Sequence, residues 1–233
     1  MKTLDEIFLF DCGEGTSRSL LQNKINLEQI KNIFISHPHS DHCIGLPLLI
    51  QSYHLKKRSQ DLNIYLPSEL VSGFRNLLNL AYLFPEELPF TLNLIPVQKN
   101  PVFAKDNIKI EAFLNSHLLK NENFIKENNL PNKMESFCFV INLLSQKIVY
   151  SGDIATLSDL EKICINADVL VTECMHIEIE ELMELAERNN VKRVILTHIP
   201  EELEDKLDNL QMMLAKYGLE EAKFADDGMR IEL

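Results

Sequence analysis

An α/β fold is the class this sequence predicts, on three observations. Short apolar runs rich in β-branched and aromatic residues alternate with segments of helical apolar spacing. The ends of five predicted strands carry unusual polar residues: Asp11, the loop that opens at His37, His117, Asp153 and His198. Strand ends on one edge of a sandwich can converge, and loops held by a rigid scaffold are where sites are built. At 233 residues and 45% hydrophobic content, the chain can bury a substantial core, and a single domain over residues 1–233 is expected.

The elements follow in order. Asp5 to Asp11 contains Ile-Phe-Leu-Phe and reads as a buried strand; Gly13 and Gly15 then mark a tight turn into a short helix around Ser17 to Leu21. A second strand, Lys31 to Ser36, runs into the polar loop. Cys43 to Lys57 has the continuous apolar character of a packed helix, with Gly45 and Pro47 in its first turn, where proline is tolerated. His54 on that helix reads as structural. Leu62 to Leu66 is a strand, and Pro67 to Phe84 a helix whose Leu70, Leu77, Leu78 and Leu80 stripe is expected in the core.

Thr91 to Val97 and Ile108 to Leu114 are strands by alternation and β-branching, and the second delivers Asn115-Ser116-His117. Leu119 to Ser136 is polar and reads as a loop or short excursion. Phe137 to Leu143 and Lys147 to Tyr150 form a hairpin ending in Ser151-Gly152-Asp153. Thr156 to Ile165 predicts an amphipathic helix, Asp168 to Thr172 a strand leading into Glu173-Cys174-Met175-His176, and Ile177 to Asn189 a helix with Ile179, Leu182, Met183 and Ala186 inward. Strand Val194 to Thr197 ends in His198. Helix Glu201 to Lys216 and a closing strand pair around Lys223 to Leu233 complete the chain.

Composition narrows the function. No apolar run approaches the roughly 18 residues that span a bilayer, and Met1 to Ile7 has no signal-like core, so a cytoplasmic protein with no membrane partner is expected. Cys12, Cys43, Cys138, Cys164 and Cys174 are odd in number and lack a C-x-x-C pair, which indicates neither a disulfide framework nor a thiolate zinc site. A net charge of −12 argues against a broad RNA footprint.

The chemistry is concentrated in Ile33 to His42, Ile-Phe-Ile-Ser-His-Pro-His-Ser-Asp-His. A loop leaving a strand can turn alternate side chains toward one point and the next residues toward a neighbouring one. His37 and His39 are thus placed to hold one ion, and Asp41 and His42 a second. Neutral imidazole suits zinc, and carboxylate oxygen widens the choice to manganese or iron.

His37-x-His39-x-Asp41-His42 resembles the signature of the metallo-β-lactamase-fold hydrolases. The flanks, Asp11-Cys12-Gly13-Glu14-Gly15-Thr16 and Gly45-Leu46-Pro47, are similar to the ribonuclease Z branch. The resemblance implies a four-layer αββα sandwich and two divalent metal ions, with zinc expected and Mn2+ or Fe2+ as alternatives. It assigns His37, His39 and His117 to one ion and Asp41, His42 and His198 to the other, with Asp153 bridging and Asp11 buttressing the metal loop. Two ions roughly 3.5 to 4 Å apart lower the pKa of a shared water and clamp a phosphoryl oxygen. Asp41 is expected to orient the resulting hydroxide, and His176, polarised by Glu173, to assist the leaving group.

Two departures from the branch bear on the substrate. Only seven residues precede the segment matching Phe8 to Asp11, so the first strands usual in the family are expected to be missing, which leaves an edge that invites a homodimer. Leu119 to Ser136 is too short and too mixed in charge for the basic arm of tRNA-processing members. The expectation is therefore a binuclear phosphodiesterase acting on a small molecule, such as a cyclic nucleotide, or on a short RNA end. A tRNA 3′-processing endonuclease, a lactone or thioester hydrolase, and a non-catalytic metal-binding scaffold subunit are the rivals.

Overall fold

A computed structural model describes residues 1–3, 5–98, 100–200 and 222–232. The chain divides into two compact units, Met1–Gln98 with Leu130–Glu135, and Lys99–Asn129 with Ser136–Leu233. Each unit is built on one sheet.

In the first unit, strands β1 (Ile7–Phe10), β2 (Ile30–Phe34), β3 (Leu62–Leu66) and β4 (Leu92–Pro96) form a parallel sheet in chain order. One face packs Ile33, Ile35, Leu62, Ile64 and Leu66 in a core with Leu46, Leu49, Ile50 and Tyr53 of helix α3 (Leu46–Leu55) and Phe74 and Leu78 of helix α4 (Leu70–Leu80). The other face stacks Phe10, Phe34 and Tyr65. It also carries an amide ladder in which Asn93 donates to Asn63, Asn63 to Asn32 and Asn32 to the buried Glu6. Such a ladder pins register, because a one-residue slip would put its polar groups against the apolar face.

The predicted helix over Cys43 to Lys57 is α3, which starts at Leu46 with Pro47 in its first turn, and the ligand loop before it carries a separate short helix, α2 (Ser40–Cys43). Short helix α1 (Thr16–Gln22) lies where the glycine turn predicts it. The expected leucine stripe of α4 is corrected: Phe74 and Leu78 are buried, whereas Leu77 and Leu80 are exposed and Leu70 is only partly buried. The helix buries its i, i+4 pair at 74 and 78, and Leu70 and Val71 pack partly buried against the same core. Residues 130–135 are fastened to the start of α4 by reciprocal bonds, Glu69 accepting from the Lys133 and Glu135 amides and Glu135 from Ser68 Oγ.

The second unit has seven strands in the order β11-β10-β9-β8-β7-β6-β5: β5 (Phe103–Lys105), β6 (Ile108–Leu114), β7 (Phe137–Leu143), β8 (Gln146–Tyr150), β9 (Val169–Glu173), β10 (Val194–Thr197) and β11 (Lys223–Phe224). The β5–β8 portion is antiparallel and β8 to β11 parallel. Helix α6 (Ile179–Arg188) buries Ile179, Leu182, Met183, Leu185 and Ala186, with Glu180 and Glu181 in its first turn and Arg188 in its last, as its dipole favours.

Three expectations change here. Leu119 to Ser136 contains more structure than a loop, a 3-10 turn at His117–Asn121 and helix α5 (Glu122–Glu127). Thr156 to Ile165 is not an α-helix: Leu160, Ile163 and Cys164 are buried as the spacing requires. However, the backbone closes mostly through i to i−3 bonds, Asp159 to Thr156, Leu160 to Leu157 and Ile163 to Leu160, because Asp159 is drawn onto Ser116. Instead of a closing strand pair, the described residues after 222 contain the single strand β11, parallel to β10. The predicted helix Glu201 to Lys216 lies outside the described residues. Among the described residues no helix is long and apolar enough to cross a membrane.

Candidate metal centre

In the first unit the ligand loop leaves β2 and runs directly into α2. His37 is buried, His39 and His42 are partly buried and Asp41 is exposed. The rings gather: His37 lies 4.6 Å from His39 and 4.1 Å from His42, centroid to centroid. Asp41 Oδ2 is 3.4 Å from His42 Nε2. All four residues of the motif therefore share one loop apex.

Asp11 organises them. Its carboxylate accepts from Ser36 N–H at 2.7 Å, from Ser36 Oγ at 2.8 Å and from His42 Nδ1 at 2.7 Å. A carboxylate only accepts, so His42 carries its proton on Nδ1. Ser36 has spent its one hydroxyl hydrogen on Asp11, and its oxygen lies 2.9 Å from His37 Nδ1, so that nitrogen must also donate. One acid thus sets both tautomers and turns both Nε2 atoms into the bases that an ion requires.

The turn carrying Asp11 sits tightly under the loop. Cys12 N–H donates to His42 O and Gly45 N–H to Cys12 O, both at 2.8 Å. A Cβ on Gly13 would come 1.8 Å from Asp41 O, and one on Gly45 2.0 Å from Gly13 O. Backbone meets backbone here, and only glycine fits. Asp11 itself adopts φ 56, a left-handed conformation that Asp tolerates better than most residues. His54 is exposed on α3, with no part in the cluster.

In the second unit three strand ends carry the candidate ligands His117, Asp153 and His198. Asp153 is buried, with Oδ2 3.7 Å from His117 Nε2 and Oδ1 3.1 Å from His198 Nδ1. His198 follows β10 at φ 51, and Gly152 before Asp153 is at φ 56; such conformations collect where a site dictates side-chain direction. Glu173, at the end of β9, accepts from the Met175 and His176 amides at 2.6 and 2.8 Å and sits 3.2 Å from His176 Nδ1. Ligand atoms of Glu173, His176 and His198 lie within 4.8 Å of one another.

The donor set fits divalent cations: imidazoles, of which His37 and His42 have their basic nitrogen set by Asp11 and Ser36, and a carboxylate whose oxygens face different rings. The cysteines do not compete. All five are free thiols, and burial pushes Cys138 up to about 12 and raises Cys164. The sequence reading missed Ser36 as the link from Asp11 to His37, the contact between Gly13 and Gly45, the bond of Asn115 Nδ2 to Asp153 O and that of Ser116 to Asp159. Only the short polar pair Asn115-Ser116, placed where an apolar strand stops, signals the last two.

The ribonuclease Z of Archaeoglobus fulgidus is 29% identical over an alignment covering 97% of this chain and 88% of that protein. Among solved structures, the short form of human tRNase Z superposes with a TM-score of 0.74 at 23% identity, covering 100% of this chain and 90% of that one. The metallo-β-lactamase fold protein YhfI of Bacillus subtilis gives 0.75 at 20% identity over 98% and 88%. The fold is the metallo-β-lactamase fold, as its motif implies, and the protein is a ribonuclease Z-like, metal-dependent hydrolase. The family model described as Anti-Pycsar protein Apyc1 matches residues 1–219, and the chain belongs to that family.

Proposed function

We propose that this protein is a phosphodiesterase that holds two divalent ions, zinc before manganese or iron. His37, His39 and His117 would hold one ion and Asp41, His42 and His198 the other, with Asp153 as the carboxylate shared by the two sets. Bound ions would supply Lewis-acid activation of water near neutrality. The protein's own groups do the rest: Asp41 orients the attacking water and takes its proton, and Glu173 accepts from His176 Nδ1 and fixes the ring, so that with both ring nitrogens protonated Nε2–H can pass its proton to the leaving oxygen. The observation that carries this reading is Asp153, whose two oxygens address two different histidines.

A small phosphodiester such as a cyclic nucleotide suits a chain with net charge −12 and only a turn and a two-turn helix between His117 and residue 130. The relatives named ribonuclease Z and tRNase Z favour the second reading, a tRNA 3′-processing endonuclease. Both place the protein in the cytoplasm. The edge of β1 carries the Lys2–Ile7 bridge and bonds from Phe8 N–H to Met1 O and from the Met1 amine to Phe8 O; a homodimer that pairs through this edge is the partner reading, which light scattering would register. The test of substrate is turnover of cyclic nucleotides against a precursor tRNA with a 3′ trailer. Cyclic nucleotide hydrolysis alone supports the first reading; salt-sensitive trailer cleavage alone replaces it with the second.

A further inference from the structure

Asn115 is buried and belongs to no ligand set, yet its amide touches the backbone of two ligand turns. Its Nδ2 donates to Asp153 O at 2.9 Å and lies 3.5 Å from Ser151 O. Its Oδ1 accepts from His117 N–H at 3.1 Å. The orientation is forced by chemistry: the reverse flip would set NH2 against an N–H and oxygen against two carbonyls. An aspartate would repel those carbonyls, and a leucine would leave three polar groups unpaired.

Asp159 anchors the same turn from outside. Its carboxylate accepts from Ser116 N–H at 3.2 Å on each oxygen and from Ser116 Oγ at 2.7 Å. The residue before His117 is therefore clamped by the segment that follows Asp153, and the residue before that bridges directly to Asp153.

We infer that Asn115 is a positioning residue that couples the His117 turn to the Asp153 turn, with Asp159 as its outer anchor, so that the two ligands move as one body. The inference rests on the reading that His117 and Asp153 hold ions. Because the bonds that join the two turns run to backbone, with a further contact to Cys138 Sγ at 3.6 Å, the coupling exists before any ion arrives. Groups that orient metal ligands typically control affinity by about 10–100-fold.

The test compares the full chain with Asn115→Asp and Asp159→Asn. Cobalt affinity is measured by chelator competition, ligand geometry by the visible cobalt spectrum, and amide exchange over residues 115–118 and 151–154 in chelated protein. The expected result for Asn115→Asp is an affinity about 10–100-fold weaker, a changed spectrum, and faster exchange in both turns together. Asp159→Asn, which keeps one acceptor for Ser116, should show the same pattern at smaller size and serves if Asn115→Asp does not fold. A folded variant with the affinity and spectrum of the parent overturns the inference, as does exchange that rises in one turn alone. If the parent binds no cobalt, the metal reading fails, and the exchange of the chelated proteins still decides the coupling.

Discussion

Asp153 Oδ1 lies 3.1 Å from His198 Nδ1, while its Oδ2 faces His117 Nε2. One buried carboxylate thus joins the ends of β6, β8 and β10 within a single unit.

Replacing Asp153 with Ala should cut phosphodiester turnover by at least ~100-fold, the scale on which one aligned charge-stabilising group acts. The fold should survive, because Asn115 grips the Asp153 carbonyl rather than its side chain. Turnover against bis(p-nitrophenyl) phosphate, with circular dichroism as control, checks this. Unchanged turnover would sink the bridging assignment.

Asp11→Asn tests the tautomer relay. An amide nitrogen in the place of Oδ2 would face two donors, Ser36 Oγ and His42 Nδ1. Turning the amide over would instead set it against Ser36 N–H. Either arrangement disturbs His37 and His42, so zinc affinity should fall by about 10–100-fold. Chelator competition gives the number, and parental affinity would show that Asp11 does not set the ring protonation.

His176→Ala should lower the rate about 100-fold while leaving metal content unchanged, as expected for a proton donor to the leaving group. Glu173→Gln should follow it partway, since the amide retains one acceptor for the turn at Met175 and His176. The proximity of Glu173, His176 and His198 gives the alternative a definite form. Loss of an ion from His176→Ala would make His176 a ligand.

Much of this was legible because strands announce themselves locally. Val194 to Thr197 and Phe137 to Leu143 have β-branched or aromatic runs with sharp ends, and their boundaries match the structure. The ligand loop was legible for the opposite reason, since no core calls for His37, His39, Asp41 and His42 together. What escaped is tertiary. Thr156 to Ile165 has helical spacing, but the bond from Asp159 to Ser116 cannot be seen from either residue's neighbours. Gly13 looks like an ordinary turn glycine until Asp41 O is found where its Cβ would be. Leu80 has the chemistry of a core residue and is 79% exposed, because it lies on the far side of α4 from Phe74 and Leu78.

The most direct measurement is metal content by elemental analysis, run alongside hydrolysis of bis(p-nitrophenyl) phosphate before and after chelation. The account predicts about two ions per chain and turnover that a chelator abolishes and zinc or manganese restores. A chain that takes up no metal under any reconstitution, or hydrolyses the ester equally well without it, would contradict the account.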